Sequence, residues 1–394
     1  MAKTSLSSTY DSAAVRQAVG RLEPKLLERL RGLVEIESPS DDKAAVDRCV
    51  EAAAAMAEQL DGRVRRHRQR KLGDVLELRF APLRRIPRRQ DTRPLMLLGH
   101  LDTVWPMGTL AVMPYREADG RVWGPGTLDM KAGVTMGLTA LQALRETHGL
   151  PRPVIFLLSS DEEVGSAASR PIIERLAREC AAVFVLEPAQ APAAAYKTAR
   201  KGVGGYTVHV RGVAAHAGVD FERGASAIAE LAYQLEKVRH FTELERGLTV
   251  NAGVIRGGTR TNVVAAEAEA EIDVRIARAQ DAARIDKKFR SLRVRDRRCV
   301  IEVSGGMNRP PMERTPGTVA LYERAATLAQ ELGFRLAEAA TGGGSDGNFT
   351  SALGVPTLDG MGAVGEGAHA SHESVLSNQL LPRTALLAAM IAAT

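Results

Sequence analysis

Cysteine, aromatic side chains and long apolar runs are all scarce in this chain of 394 residues. Three cysteines, Cys49, Cys180 and Cys299, cannot build a disulfide scaffold at this length, and no C-x-x-C spacing offers a thiolate metal site or redox pair. Aromatics make up 4% of the residues, which leaves little with which to stack nucleobases. No run approaches the roughly 18 apolar residues of a membrane span. The N-terminal MAKTSLSSTYDSAAVRQ also lacks the apolar core of a signal peptide. These absences point to a reducing cytoplasm and away from a membrane. What is present is ordinary for a globular protein: 45% hydrophobic and 25% charged positions. At roughly 100–200 residues per domain, the length allows about two domains.

The net charge of +6 and the pI near 9.3 come largely from basic stretches at 63–71, 84–89 and 287–298. Only Phe289 interrupts them with an aromatic ring. Nucleic-acid binding asks for basic charge on one face together with stacking rings. Solvated faces, or a mild field that attracts anionic substrates, are the better reading, and no nucleic-acid partner is expected.

Apolar spacing of three and four predicts helices over 22–33 and 46–60. Residues 75–80 alternate, as in a strand near a sheet edge. The runs 94–99, 153–159 and 182–187 are continuously apolar, as in strands covered on both faces. Helices at 131–148 and 171–178 fall between them. Strands alternating with helices predict an α/β layered domain with a largely parallel sheet. From about residue 200 the texture changes to strand 206–211, helix 225–240, strands 248–256 and 267–275, helix 281–292 and strand 299–304. That βαββαβ order is ferredoxin-like. Helices at 318–332 and 381–393 then resume the α/β texture. The expected division is a discontinuous domain of 1–200 and 306–394, interrupted by 201–305.

Ligands gather at the C-terminal ends of strands in open α/β sheets. Here those ends carry His100 and Asp102, then Asp161-Glu162-Glu163, then Glu187. A Gly-rich turn delivers Asp129 to a helix start, and His369 lies in a second Gly-rich loop. This mixed nitrogen and oxygen set suits a borderline cation such as zinc. Five ligands and a spare carboxylate exceed the needs of one tetrahedral ion, so the count points to two metals sharing a carboxylate. A neighbouring uncoordinated Glu would then manage the proton of a shared water.

The motifs GHLDTV (99–104), GPGTLDMK (124–131), SDEEVGS (160–166), LEP (186–188), AHAG (215–218), TGGGSD (341–346) and GAHASHE (367–373) together resemble the M20 family of metallopeptidases. The resemblance runs from residue 33 to His369 and is nearest to the glutamate carboxypeptidase and acetylornithine deacetylase-like branch. It implies a zinc-peptidase-type α/β/α catalytic domain with an inserted ferredoxin-like lid or dimerisation domain. It also implies two Zn²⁺ per subunit, one held by His100, Asp129 and Glu187, the other by Asp129, Glu163 and His369. Glu162 would be the general base and acid, and Asp102 would accept the second N–H of His100. The resemblance further implies a cis peptide at Asp129–Met130. His216 would stabilise the oxyanion in a partner subunit's site. Asn262, Arg275 and the amides of Gly343 and Gly344 would hold substrate. Family spacing to Glu373 selects His369 over His372 as the ligand. His67, His148 and His240 read as solvated, and His209 as a facing side chain of a lid strand. Lys197, Arg200 and Lys201 fall near a substrate-binding lysine of that branch, but the aligned position is Ala195.

The implied activity is zinc-dependent cleavage of an amide next to an amino acid with a free carboxylate, foremost a glutamate carboxypeptidase. N-acyl-amino-acid deacylation and dipeptide hydrolysis are the alternatives. The hippurate-hydrolase-like branch fits less well, because it bears a cysteine where this chain has GPGTLDMK. A non-catalytic metal-binding homologue would have lost the base or a ligand, and all are present here. The expected partners are a small peptide or N-acyl amino acid and a second copy of the chain, joined through the lid.

Overall fold

A computed structural model describes residues 11–82 and 91–394; the first ten positions and the basic stretch 84–89 lie outside them. The chain forms two compact units. The first comprises 1–199, 314–340 and 345–394, and the second 200–313 and 341–344. Residues 306–313 and the four-residue segment 341–344 thus group with the second unit.

The first unit is built on a six-stranded sheet in the order Arg63–His67, Val75–Phe80, Val154–Ser159, Leu95–His100, Ala182–Val185, Thr357–Leu358. The last four strands pair parallel, whereas Val75–Phe80 pairs antiparallel with Val154–Ser159 and Arg63–His67 antiparallel with Val75–Phe80. Side chains of successive strand residues leave on opposite faces, and both faces are covered. Leu95, Leu97, Phe156, Leu158 and Phe184 pack on helices Lys43–Glu58, Ala132–Thr147 and Ser377–Ala393. Met96, Leu98, Ile155, Leu157, Val183 and Val185 pack on Arg170–Ala177 and Phe349. Burial on two sides is why these strands read as continuous apolar runs. Among the described residues no helix is long and apolar enough to cross a membrane.

The strand Arg63–His67 was not anticipated, because its stretch reads as solvated charge. It is an edge strand whose exposed Arg63 and Arg65 alternate with half-buried Val64 and Arg66, and charge on an edge discourages further strand pairing. His67 is likewise not solvated: its Nε2 lies 2.7 Å from the buried Glu77 carboxylate.

A smaller sheet, in the order Gly365–Glu366, Ser374–Leu376, Arg121–Trp123, Arg116–Ala118, also escaped the sequence reading. Its strands have two or three residues, too few to show a period. It sets Ser374 opposite Trp123, which brings the turn 367–373 beside the loop 124–131.

The second unit is an antiparallel sheet in the order Thr249–Gly257, Glu267–Ile276, Gly202–Arg211, Val300–Arg309, with helices Ala227–Arg239 and Gln280–Arg290. This is the βαββαβ arrangement expected from the alternation. Its core includes Tyr206 stacked on Phe289, ring centroids 4.0 Å apart, with Phe241 edge-on to the same ring at 5.4 Å.

Candidate metal centre

Strand register sets the first part of the site. Leu98 pairs with Val185, and His100 pairs with Ser159. His100 therefore stands level with Glu187 on one side and leads the 160–163 turn on the other, all at the C-terminal edge of the parallel strands. Asp129 comes from a wide turn at 127–131, where it and Met130 leave helical dihedrals before the helix Ala132–Thr147 begins. The Asp129–Met130 peptide is cis. Two glycines let this segment sit where it does. Gly126 has φ +69°, and a Cβ there would lie 2.6 Å from Thr103 Cγ2; a Cβ on Gly133 would lie 2.1 Å from the Leu186 carbonyl oxygen, next to Glu187.

Among the described residues two groups of potential ligands result, His100–Asp129–Glu187 and Asp129–Glu163–His369, each with its donor atoms within 4.8 Å of one another. Asp129 belongs to both. Its Oδ1 is 3.1 Å from His100 Nε2, and its Oδ2 is 3.3 Å from His369 Nε2. His100 Nε2 is also 3.7 Å from Glu187 Oε1, and His369 Nε2 is 3.2 Å from Glu163 Oε1. Zinc bonds of about 2.0–2.1 Å at tetrahedral angles put neighbouring ligand atoms roughly 3.3 Å apart. The donor set therefore fits a cation in each group, with one oxygen of Asp129 turned to each. His372 belongs to neither group.

Electrostatics agree with that fit. Burial disfavours charge on both His100 and Asp129. Hydrogen bonds outweigh it, raising His100 well above the ordinary imidazole value and holding Asp129 far below the usual carboxylate range. Hydrogen bonds to Asp129 and Glu163 push His369 up to about 10. The carboxylates thus favour positive charge at this point, which suits a cation.

Asp102 is fully buried and organises the neighbourhood. Its carboxylate accepts the N–H groups of Glu162 at 3.2 Å and Glu163 at 3.1 Å, and the Ser40 hydroxyl at 2.7 Å. The hydrogen bond to His100 Nδ1 is made by the backbone carbonyl of Asp102, at 2.9 Å, while the carboxylate lies at 3.5 Å. Burial pushes the Asp102 carboxyl up, but these contacts prevail and keep it below its ordinary value. Glu162 lies beside Glu163 in the turn and belongs to neither ligand group. That turn is braced from below: Asp161 accepts the Ser169 hydroxyl and the Ala168 N–H, and Asp346 accepts the hydroxyls of Ser159 and Ser166.

Glu373, whose spacing selects His369 over His372, makes contacts that the sequence does not reveal. Its buried carboxylate accepts N–H groups from Gly126, Leu128, Asp129 and the Trp105 indole. Only its place in the GAHASHE motif could have flagged it.

In the second unit, His216 is exposed and pairs across a bridge with Val263; the Asn262 carbonyl accepts the Ala217 N–H at 3.0 Å. His216 Nδ1 accepts N–H groups from Gly218 and Val219 at 3.1 and 3.2 Å. An acceptor Nδ1 puts the proton of a neutral imidazole on Nε2. Arg275 pairs through Nε with Asp273 at 2.9 Å and reaches the Gly342 carbonyl at 3.4 Å. The carbonyls of Gly343 and Gly344 accept from buried Arg200 Nη1 at 3.3 and 3.0 Å. Lys201 N–H binds the Thr341 carbonyl. In the first unit, the backbone of Lys197 pairs with that of Asp359.

The sheet covered by helices on both faces and the twin candidate ligand groups around one aspartate fit a hydrolase that works through bound metal. Residues 96–393 match peptidase family M20/M25/M40, and the chain belongs to this family. It is a hydrolytic enzyme, a metallopeptidase. Carboxypeptidase G2 of Pseudomonas sp. (strain RS-16) is 27% identical over 401 residues, spanning 99% of this chain and 94% of that protein. Among solved structures, aminopeptidase PepT from Bacillus cereus ATCC 10987 superposes with a TM-score of 0.74 at 22% identity, covering 94% of this chain and 98% of that one. The Bacillus subtilis YXEP protein, described as a dinuclear metal binding peptidase from the M20 family, has a TM-score of 0.69 at 15% identity, with 95% and 98% coverage.

Proposed function

We propose that this enzyme is a di-zinc carboxypeptidase that releases a C-terminal amino acid with a free carboxylate, glutamate first among them. The observation that carries this reading is the division of Asp129 between two ligand groups, one oxygen to each. The 27% identity to carboxypeptidase G2 over nearly the whole chain favours a carboxypeptidase. Two zinc ions in these groups would polarise the scissile carbonyl and acidify a shared water.

The protein's own residues are assigned as follows. Glu162 takes the proton of the attacking water and delivers it to the departing nitrogen. Asp102 orients His100 through its carbonyl and holds the Glu162–Glu163 backbone through its carboxylate. His216 donates from Nε2 to the carbonyl oxygen in the partner subunit's site as negative charge develops there; the tautomer set by the Gly218 and Val219 amides supports that role. Asn262, Arg275 and the amides of Gly343 and Gly344 help hold the substrate, and the forked guanidinium of Arg275 suits its carboxylate. The exposed Val254 and Ile255 on the edge strand Thr249–Gly257 support pairing of two chains through the second unit.

A hydrolysis panel on zinc-loaded protein tests the reading, with folate-like and peptidyl C-terminal glutamates beside acetylated amino acids and simple dipeptides. Chelator-sensitive release of glutamate is expected. Turnover confined to acetylated amino acids would replace it with a deacylase. No turnover on any member, with metal bound, would overturn the carboxypeptidase assignment.

A further inference from the structure

The turn 367–373 and the loop 124–131 are joined through one fully buried side chain, Glu373. Its Oε1 accepts the N–H groups of Leu128 at 2.8 Å and Asp129 at 3.0 Å. Its Oε2 accepts the Gly126 N–H at 2.9 Å and the Trp105 indole N–H at 2.8 Å. The backbone of Glu373 is tied as well: its N–H donates to the Ala370 carbonyl at 2.9 Å, and its carbonyl accepts the Gly124 N–H at 3.4 Å. Ala370 directly follows His369, which holds a left-handed φ of +62°. One residue is thus anchored by its backbone in the turn that presents His369 and by its carboxylate on the loop that presents Asp129. Glu373 is itself in neither ligand group.

We propose that Glu373 is a positioning residue that fixes Asp129 relative to His369 and thereby sets the affinity of the site for metal. This inference rests on the two-metal reading above. An ionised carboxylate offers about four acceptor positions, and here four N–H donors take them. Glutamine would turn an NH2 group toward two of those donors, whichever way its amide flipped. Alanine would leave four buried donors unsatisfied, each at the cost of desolvation. In both cases the loop must move to find new acceptors, and Asp129 moves with it. Residues that orient metal ligands without touching the ion change metal affinity by about 10–100-fold when removed.

Zinc titration of the metal-free full chain by calorimetry, with the absorption spectrum of the Co²⁺-substituted protein, tests the proposal. Glu373→Gln is expected to weaken metal binding about 10–100-fold and to shift the Co²⁺ bands. Glu77→Gln serves as the control: it disturbs another buried carboxylate, paired with His67 and Arg79 in the sheet, and should lower thermal stability while leaving affinity and spectrum unchanged. A folded Glu373→Gln protein with wild-type affinity and spectrum would overturn the inference, as would an equal loss of affinity in Glu77→Gln. Should Glu373→Gln fail to fold, Trp105→Phe removes one of the four donors, and wild-type affinity and spectrum in that variant would overturn it. A wild-type chain that took up no metal would overturn the two-metal reading together with this one; normal wild-type uptake with unchanged Glu373→Gln affinity overturns this one alone.

Discussion

The carboxylate of Asp102 accepts the backbone N–H of Glu163 at 3.1 Å, while its own carbonyl accepts from His100 Nδ1 at 2.9 Å. One buried residue thereby links a member of each of the two candidate ligand groups. Asp102→Asn would turn an amide NH2 toward the N–H of Glu162 or, with the amide flipped, toward the N–H of Glu163 and the Ser40 hydroxyl. Metal affinity and kcat are expected to fall about 10–100-fold, read by zinc titration and steady-state kinetics. Wild-type values for both would remove Asp102 from the organisation of the site.

Glu162 stands beside Glu163 without belonging to either candidate ligand group, so its removal should separate chemistry from metal binding. Glu162→Gln is expected to keep both metals, as counted by atomic absorption, and to lose at least about 10² in kcat. Near-wild-type turnover would sink the assignment of Glu162 as the proton carrier.

The pH dependence of metal uptake follows from His369. Hydrogen bonds to Asp129 and Glu163 push its pKa up to about 10 from an ordinary 6.5. A raised pKa means that this pairing stabilises the metal-free chain fully below about pH 6.5 and is lost as pH rises through about 10. A metal ion needs the neutral ring, so binding near pH 7 must expel protons. Apparent zinc affinity is therefore expected to climb as pH rises from 6.5 toward 10. Calorimetry at pH 7.5 in two buffers of different ionisation enthalpy measures the release directly, and an identical heat in both would contradict it.

Gly133 lets the helix Ala132–Thr147 approach the strand end that carries Glu187. A Cβ at Gly133 would lie 2.1 Å from the Leu186 carbonyl oxygen, a backbone atom that cannot swing aside. Gly133→Ala is expected to cost about 1–3 kcal/mol by overpacking, read as a lower urea midpoint of the metal-free protein. Because Asp129 and Glu187 lie on the two surfaces forced apart, metal affinity should fall with it. A midpoint unchanged from wild type would show that the approach is not tight.

Much of the fold was legible because its strands are buried on two sides or alternate cleanly. Val75–Phe80 has the bounds that its alternation predicted, and Val154–Ser159 differs by one residue. The edge strand Arg63–His67 was not legible, since its outward positions are arginines and its inward ones are only half-buried. The same mismatch concealed His67, whose carboxylate partner comes from the neighbouring strand. Glu373 was legible as part of a motif but not as a hub, because three of its four donors lie 244–247 positions away. Contacts of that range leave no period in a sequence.

By itself, then, the sequence determined the layering, the βαββαβ insertion and the residue types that could meet a cation. Each of these is written in local periodicity or in short motifs at strand ends. Tertiary structure decided the rest. Parallel register set His100 level with Glu187, a small sheet brought His369 beside Asp129, and the Asp129 carboxylate came to divide its oxygens between two imidazoles. The physical reason is that a metal site depends on ligand separations of a few ångströms. Those separations arise from pairing and packing between segments far apart in the chain, and no local preference encodes them.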